Sequence, residues 1–284
     1  MKQHLLEARN LVAGYDGKII LDRVSLQIPS NQISVIMGAN ASGKSTLLKT
    51  LARLIRPVSG EVLLDGRSIH AIPTKQLARV IGLLPQSPVV PEGIKVVDLI
   101  GRGRYPHQSF FGAWSKQDEE AVAEAMEIMN ITELADRHMD ELSGGQRQRV
   151  WIGMVLAQQT DILLLDEPTT YLDITHQIEI LDLLTDLNRK YGKTIVMVLH
   201  DINLSARYAD YLFAMRQGRL VAEGKPSEVI TSQLIQDVFG LDCVVVEDPV
   251  SGSPSVVPVG RHHVLHPVAG FAGVYTIEAD KRTV

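Results

Sequence analysis

The fold of this chain is decided by Ile33-Ser-Val-Ile-Met37-Gly38-Ala-Asn-Ala-Ser-Gly-Lys44-Ser45-Thr46-Leu-Leu. Its first five residues are an apolar run that predicts a buried strand, and the residues from Ser45 onward predict a helix. The loop between them fits the pattern G-x-x-x-x-G-K-[ST]. A strand, a glycine loop and a helix in this order are the setting in which such a loop binds phosphate groups.

A phosphate loop needs a backbone that turns its N–H groups toward phosphate oxygens. Glycine permits the turns and the close approach, and the start of the following helix attracts anions. In this pattern Lys44 bridges the β- and γ-phosphates of ATP and the Ser45 hydroxyl binds Mg²⁺. The predicted nucleotide-binding residues are Gly38, Ala39, Asn40, Ala41, Ser42, Gly43, Lys44, Ser45 and Thr46.

A second apolar run, 162–165, ends at two acidic residues, Asp166 and Glu167. A carboxylate at the end of a strand can hold Mg²⁺ directly or through water, which predicts Asp166 as a metal ligand. Glu167 is the candidate for activating or orienting the attacking water. Two acidic residues alone more often only solvate a strand end, but Lys44 and Ser45 upstream favour the catalytic interpretation.

A second anion-binding motif is Leu142-Ser143-Gly144-Gly145-Gln146, which precedes a predicted helix. Ser143 and the two glycines make another helix start that can bind phosphate. The alternative is an ordinary helix cap, which the phosphate loop upstream and Asp166 downstream disfavour. One chain thus carries two phosphate-binding surfaces and one set of catalytic carboxylates.

These motifs, with a lone His200 after the apolar run 194–199, resemble the ATP-binding subunit of an ABC transporter. The resemblance implies an α/β fold, an ABC-type P-loop ATPase with a RecA-like parallel-sheet core, an N-terminal antiparallel β-subdomain and an inserted helical subdomain. We expect the ATP-binding domain at 1–240, its helical insertion at about 87–158, and a C-terminal tail at 241–284.

The resemblance also implies roles for single residues. Tyr15 would stack on adenine, Gln86 would sense Mg²⁺ and the γ-phosphate and act as a metal ligand, and His200 would contact the γ-phosphate and help to orient the water. The family usually carries Pro where Ala39 stands and Gly where Ala41 stands, so we expect Ala41 to restrict the loop slightly.

The family's assembly implies the partners. Two copies would pack head to tail, so that ATP lies between the phosphate loop of one and Ser143, Gly144, Gly145 and Gln146 of the other, with Asp173 acting across the interface. Membrane permease subunits would be the other direct partners, and a substrate-binding protein an indirect one. The resemblance places the subunit on the cytoplasmic face of the inner membrane, as a peripheral protein.

Within the family, the chain is most similar to the ATPases of ferric-siderophore importers. The stretches that carry this likeness are 101–107, 168–177, 207–210, 248–252 and 260–262. Residues 101–107 would belong to the groove for the permease, or would be an ordinary basic, solvated loop. His262, His263 and His266 are interpreted as tail residues, because they lack a partner carboxylate or cysteine at metal-ligand spacing. No direct iron binding is expected.

Composition limits the other classes of function. The net charge is −5 and no basic tract recurs, which disfavours nucleic acid as a partner. The single cysteine, Cys243, fits a reducing compartment. No apolar run approaches the roughly 20 residues of a membrane-spanning helix, and the first residues do not resemble a signal peptide.

Three alternatives stay open. The first keeps the role but changes the cargo to cobalamin or haem, since the nucleotide site does not select cargo. The second is a soluble ABC ATPase outside transport, although no second cassette or long coiled-coil insertion is present. The third is a binding module without catalysis, which intact Lys44, Asp166, Glu167 and His200 disfavour.

Overall fold

The computed structural model of the chain describes residues 3–108 and 114–260. Its strands are β1 (Leu6–Tyr15), β2 (Lys18–Ile28), β3 (Ile33–Gly38), β4 (Ser59–Leu64), β5 (Arg67–Ser68), β6 (Ile81–Leu84), β7 (Ile162–Asp166), β8 (Thr194–Val198), β9 (Tyr211–Arg216), β10 (Arg219–Gly224), β11 (Cys243–Glu247) and β12 (Pro254–Pro258). Its helices are α1 (Lys44–Leu51), α2 (Thr74–Ala78), α3 (Val96–Gly101), α4 (Lys116–Ile128), α5 (Gly144–Ala157), α6 (Ile174–Tyr191), α7 (Ile202–Tyr208), α8 (Pro226–Val229) and α9 (Ser232–Phe239).

The first residues form the predicted antiparallel sheet, whose strand order is β2-β1-β4-β5. Side chains along β2 alternate between buried and exposed, as expected of a sheet that covers the core with one face. Its buried residues pack in one cluster with those of α1, which begins inside the phosphate loop. The antiparallel sheet therefore packs against α1, the helix that follows the phosphate loop, and stabilises it.

The central sheet has the order β10-β9-β3-β8-β7-β6. Its pairs from β9 to β6 are parallel, and β10 joins β9 as an antiparallel hairpin. Every residue of β3, β7 and β8 is buried, because a parallel sheet is covered on both faces. The carboxyl ends of these three strands lie side by side and lead into Gly38, Glu167 and His200.

Helices α3, α4 and α5 pack on one another and form the predicted helical region. Helix α4 begins at Ser115, whose hydroxyl accepts a hydrogen bond from the Asp118 backbone N–H while the Asp118 carboxylate accepts from the Ser115 backbone. This reciprocal capping fixes the start of the helix at Ser115. None of the helices in the described ranges is long and apolar enough to cross a membrane.

The segment predicted as a tail contains a β-hairpin, because β11 and β12 pair in antiparallel register with Val245 opposite Val256. The Val256 side chain is buried in the main core cluster, so the hairpin packs on the domain. Short Val and Pro runs with a polar turn gave too weak a pattern for the sequence to predict these strands. The predicted tail residues His262, His263 and His266 lie outside the described residues.

Candidate nucleotide site

The phosphate loop joins β3 to α1 and wraps around the Lys44 side chain. Lys44 Nζ donates hydrogen bonds to the carbonyl oxygens of Gly38 at 2.9 Å and of Ala39 at 3.0 Å. Gly38 has φ 153°, and a β-carbon there would collide with the Met215 carbonyl of β9. Glycine is therefore required at this position, because a larger residue would push the loop off the end of the sheet.

The Lys44 ammonium group is buried, and burial lowers its pKa while the nearby carboxylates of Glu167 and Asp166 oppose the shift. The ammonium group donates its hydrogen bonds to loop carbonyl oxygens, which are neutral, so the site offers a cation without a tightly bound counter-ion of its own. A phosphate group would supply that counter-ion at a position enclosed by backbone N–H groups.

Ala41 adopts φ 62°, in the left-handed region that glycine prefers. For a residue with a β-carbon this conformation costs about 1–2 kcal/mol. The expected restriction at Ala41 is thus present in the structure as local backbone strain. The loop nevertheless closes, since the Ser42 N–H donates to the Ala39 carbonyl at 3.2 Å and Ser42 O accepts from the Gly218 N–H at 2.9 Å.

Asp166 lies at the end of β7 beside the first turn of α1. Its Oδ1 accepts a hydrogen bond from the Ser45 hydroxyl at 2.9 Å, while its buried Oδ2 has no hydrogen-bond partner. Burial raises the pKa of Asp166, and the Ser45 hydrogen bond opposes that rise. A buried carboxylate oxygen without a partner is costly. This oxygen, next to a hydroxyl, is a donor set that suits Mg²⁺.

Glu167 is buried and its carboxylate is surrounded by hydrogen-bonding groups. Gln86 Nε2 donates to Glu167 Oε2 at 2.7 Å, and His200 Nε2 lies 2.6 Å from Oε1. The structure therefore brings three predicted residues from the ends of β6, β7 and β8 to one point. It places the Gln86 amide on Glu167 and not on Ser45 or Asp166, so a role for Gln86 as a metal ligand stays a prediction.

Thr170 completes this arrangement and was missed by the sequence reasoning. Its hydroxyl donates to Glu167 Oε2 at 2.9 Å and is the second partner of that oxygen beside Gln86. The contact is made across a tight turn that begins at Glu167, whose φ is 57°. The only available signal was a hydroxyl residue three positions after the candidate base, which is common in any chain.

A cleft of about 570 Å³ runs over the phosphate loop. Tyr15 and Ile20, from the first two strands, line it together with Asn40–Thr46 and the Glu167 cluster. The Tyr15 side chain is half exposed and free to face a planar ring. Ile20 is a second apolar neighbour that the sequence did not single out. The cleft therefore offers an aromatic end, an anion-binding middle and a carboxylate at its far side.

The second anion-binding motif stands away from this cleft. Ser143 caps α5, since its Oγ accepts from the Gln146 N–H at 3.3 Å, and neither residue lines the cleft. Asp173 caps α6 by accepting from the His176 N–H at 3.0 Å. A β-carbon on Gly145 would lie 2.6 Å from His176 Cδ2, so the starts of α5 and α6 touch within one chain. Both helix starts remain open toward a neighbour.

Residues 101–107 do not form the uniform basic loop that the sequence allowed as one interpretation. Arg104 is buried and its Nε donates to Asp118 Oδ1 at 2.8 Å. His107 Nε2 lies 2.8 Å from the Gln158 carbonyl, and Gly103 packs against the Met154 backbone. These contacts hold the loop in place, and the buried Gly103 and Arg104 are not accessible to a partner.

Other residues of the same loop face outward. Gly101, Arg102 and Tyr105 line a cleft of about 710 Å³ together with Trp114 and Asp98. The Tyr105 side chain is 67% exposed, and Lys75 Nζ lies 5.0 Å from the centre of its ring. A cleft thus lies on the helical region, and only part of the predicted stretch lines it; its use as a groove for the permease stays a prediction.

The family model of ABC transporters matches residues 21–170. The chain is 52% identical over 271 residues to a probable siderophore transport system ATP-binding protein of Bacillus subtilis, covering 95% of this chain and 98% of that protein. It is 52% identical over 256 residues to the ferric enterobactin transport ATP-binding protein of Escherichia coli, covering 90% of this chain and 94% of that protein.

A solved structure gives the same likeness at the level of the fold. A metal-chelate type ABC transporter in an inward-facing conformation matches with a TM-score of 0.79 and 27% identity. The match covers 92% of this chain and 98% of that chain. It therefore includes both sheets, the helical region and most of the C-terminal part.

Proposed function

This chain belongs to the ABC transporter family as an ATP-binding subunit with ATPase activity, and we propose that it powers the import of ferric siderophores through a partner permease. The observation that carries the proposal is the 52% identity, over at least nine-tenths of each chain, to two proteins named for siderophore transport. Because the cargo is selected outside the nucleotide site, similarity over the whole chain is stronger evidence for the cargo than any single residue of that site.

The arrangement of the site supports distinct roles for its residues in hydrolysis. Lys44 and the loop N–H groups would hold the β- and γ-phosphates in the middle of the cleft. Glu167 would orient and deprotonate the attacking water, with His200 and Gln86 fixing its carboxylate from either side. Tyr15 would hold the adenine ring at the aromatic end. The contacts of Gln86 and His200 with the Glu167 carboxylate support the proposed roles of these three residues.

Ser45 and Asp166 are the residues that we propose to hold Mg²⁺. The unpartnered Oδ2 of Asp166 supports this, because a cation would satisfy a buried oxygen that the protein leaves without a donor. Mg²⁺ bound there would neutralise charge on the phosphate oxygens. In a binding assay, Asp166→Asn should weaken ATP binding in the presence of Mg²⁺ and have little effect in excess chelator.

We propose a head-to-tail pair of copies as the hydrolysing unit. The Ser143–Gln146 motif and Asp173 lie outside the cleft of their own chain, while Tyr171, which lines that cleft, is 92% exposed. A second copy would place its own Ser143–Gln146 motif and Asp173 over the phosphate loop and cover the exposed Tyr171. Analytical ultracentrifugation of Glu167→Gln with and without ATP tests this pairing, and a monomer at all concentrations would contradict it.

The permease is proposed to dock in the cleft lined by Tyr105 and Trp114. An exposed aromatic pair with Asp98 and Arg102 at its edge combines apolar area with charge for orientation, as protein interfaces do. This docking would hold the subunit at the cytoplasmic face of the membrane. Tyr105→Ala should weaken permease association more than nucleotide binding, and the reverse result would place the docking surface elsewhere.

Uptake by cells that lack this gene tests the cargo. Each strain is complemented with the wild-type gene or with Glu167→Gln and supplied with one class of iron-loaded siderophore, with cobalamin or with haem. Siderophore uptake restored by the wild type alone supports the proposal and identifies the class. Unchanged iron uptake with loss of cobalamin or haem uptake would keep the ATPase role and replace the cargo.

A further inference from the structure

The C-terminal hairpin, β11–β12, is attached to the helix that follows His200. Asn203 of α7 makes two hydrogen bonds to one residue of β12: its Oδ1 accepts from the Val256 N–H at 2.7 Å and its Nδ2 donates to the Val256 carbonyl at 3.3 Å. The amide thus pairs with the outer edge of β12 as a neighbouring strand would. This contact joins positions 53 residues apart in the chain.

Hydrogen bonds in the turn of the hairpin hold the outer edge of β12 in a fixed position. Asp248 Oδ1 accepts from the Val250 N–H at 2.8 Å, and the Asp248 carbonyl accepts from the Gly252 N–H at 2.8 Å. These bonds close the turn, and the hydrogen bond to Val250 is the main cause of the lowered pKa of Asp248. Val256 is buried in the same core cluster as Leu204 of α7. The hairpin and the helix therefore pack as one unit.

His200 depends on this helix for its position. In the described part of the chain, the polar contact of its ring is the one to Glu167, at 2.6 Å, and the side chain is 45% exposed. Because nearly half of the side chain is exposed, the position of the ring depends strongly on the flanking backbone. Asp201 caps α7 by accepting from the Leu204 N–H at 2.8 Å, and Asn203 is three residues beyond His200.

We propose that Asn203 is a positioning residue for ATP hydrolysis, which locks the C-terminal hairpin onto α7 and thereby holds His200 against Glu167. The inference rests on the proposed catalytic role of His200. It also assigns a structural role to the stretch 248–252, which takes no part in the nucleotide site. That stretch forms the turn that presents Val256 to Asn203. Small displacements of a catalytic group can cost on the order of 100-fold in rate.

The test compares Asn203→Ala and Asn203→Asp with Ser251→Ala in the full-length protein. Asn203→Asp keeps the acceptor for the Val256 N–H but loses the donor to its carbonyl. Ser251→Ala is the matched control within the same turn. It removes a hydroxyl that contacts the Ser253 hydroxyl at 2.8 Å and accepts from the Ser253 N–H at 3.4 Å, but the two bonds of Asp248 that close the turn and the attachment of Val256 to Asn203 remain. Three quantities are measured: kcat for ATP, the Kd for ATP in a Glu167→Gln background, and the imidazole NMR resonances of His200, assigned with His200→Gln.

We expect kcat to fall about fivefold to tenfold in Asn203→Ala and less in Asn203→Asp, with an unchanged Kd for ATP and shifted His200 resonances. Ser251→Ala should leave all three at wild-type values. The proposal is overturned if kcat is unchanged in both Asn203 variants, if Kd rises in step with the loss of kcat, or if the His200 resonances stay in place. If Asn203→Ala fails to fold, the same three measurements on Asn203→Asp alone test the proposal. A wild-type protein that hydrolyses no ATP would instead contradict the proposed function.

Discussion

Glu167 Oε1 and His200 Nε2 lie 2.6 Å apart, although the two residues end different strands of the central sheet. Gln86 and Thr170 hold the other oxygen of the same carboxylate, at 2.7 Å and 2.9 Å. The side chain proposed as the base is therefore held by three partners within the chain. Oε1 has one of them, and a carboxylate oxygen can accept two hydrogen bonds, so this oxygen can also accept one from the attacking water.

Glu167→Gln should bind ATP but hydrolyse it at least about 100-fold more slowly, because an amide cannot accept the proton of the attacking water. The substitution keeps the size of the side chain, so the cleft should stay intact. Phosphate release in a single turnover measures the rate, and a fluorescent nucleotide measures binding. A wild-type rate in this variant would remove Glu167 as the base.

Lys44→Ala should abolish measurable ATP binding. The ammonium group is the buried cation at the centre of the phosphate loop, and its hydrogen bonds to the Gly38 and Ala39 carbonyls also support the loop. Lys44→Arg is the matched control, since it keeps the charge but not the compact shape. Isothermal calorimetry with ATP provides the affinity; normal affinity in Lys44→Ala would show that phosphate binds elsewhere.

Thr170→Val should lower kcat about tenfold or more, because a hydrogen bond to a charged group contributes about 1.5–3 kcal/mol. Valine keeps the shape of threonine and removes only the hydroxyl. Thr170→Ser retains that hydroxyl and should hydrolyse ATP at nearly the wild-type rate. If both variants lose activity equally, packing of the Thr170 methyl group, and not its bond to Glu167, is what matters.

Ala41→Gly should stabilise the phosphate loop. Glycine removes the left-handed strain of about 1–2 kcal/mol at φ 62°, which outweighs the added freedom of the unfolded chain. We expect a melting temperature higher by about one to a few degrees. Ala39→Gly is the control, because Ala39 has no positive φ and glycine there should lower stability. Equal shifts in both variants would mean that Ala41 is not strained.

Asp118→Asn should destabilise the helical region by about 3–5 kcal/mol at pH 7, because it leaves the buried Arg104 without its counter-charge. Hydrogen bonds from Ser115 and then from Arg104 lower the pKa of Asp118 to about 2. A lowered pKa means that this stability is present above the unfolded value, near about 4, and is lost as the pH falls toward 2.

Urea unfolding at several pH values measures this difference, which should shrink below about pH 4. The matched control is Glu120→Gln on the same helix, where the ion pair with Lys116 is exposed and contributes at most about 0.5 kcal/mol. A loss in Asp118→Asn as small as that of the control would contradict a structural role for the buried pair.

Much of the fold could be predicted, because the signals involved are local. The strand ending at Gly38, the two acidic residues after β7 and the helix start at Ser115 each follow from a short pattern. The buried pair of Arg104 and Asp118 could not be predicted, since a charged residue in a glycine-rich loop normally faces water. Only the three-dimensional packing shows that Asp118, on another element, lies beside it.

The candidate site likewise contains residues that the sequence identifies and residues that it does not. Lys44, Asp166 and Glu167 are identified by motif, and their types alone suggest their chemistry. Thr170 reaches Glu167 through a turn that begins at Glu167 with φ 57°, a backbone conformation that sequence patterns do not indicate. Asn203 and Val256 meet across 53 residues, and no short motif could connect them. Contacts set by rare backbone conformations or by distant segments thus needed the structure.

The loop that presents Tyr105 has an energetic consequence for any protein that binds there. Arg79 donates to the Pro106 carbonyl at 3.0 Å, and Lys75 to the Gln108 carbonyl at 2.8 Å, so these hydrogen bonds restrain the loop backbone. The loop would therefore lose little conformational entropy when a partner binds. A binding partner would therefore meet a preorganised surface, and its affinity should depend mainly on how well its own side chains match the exposed ring.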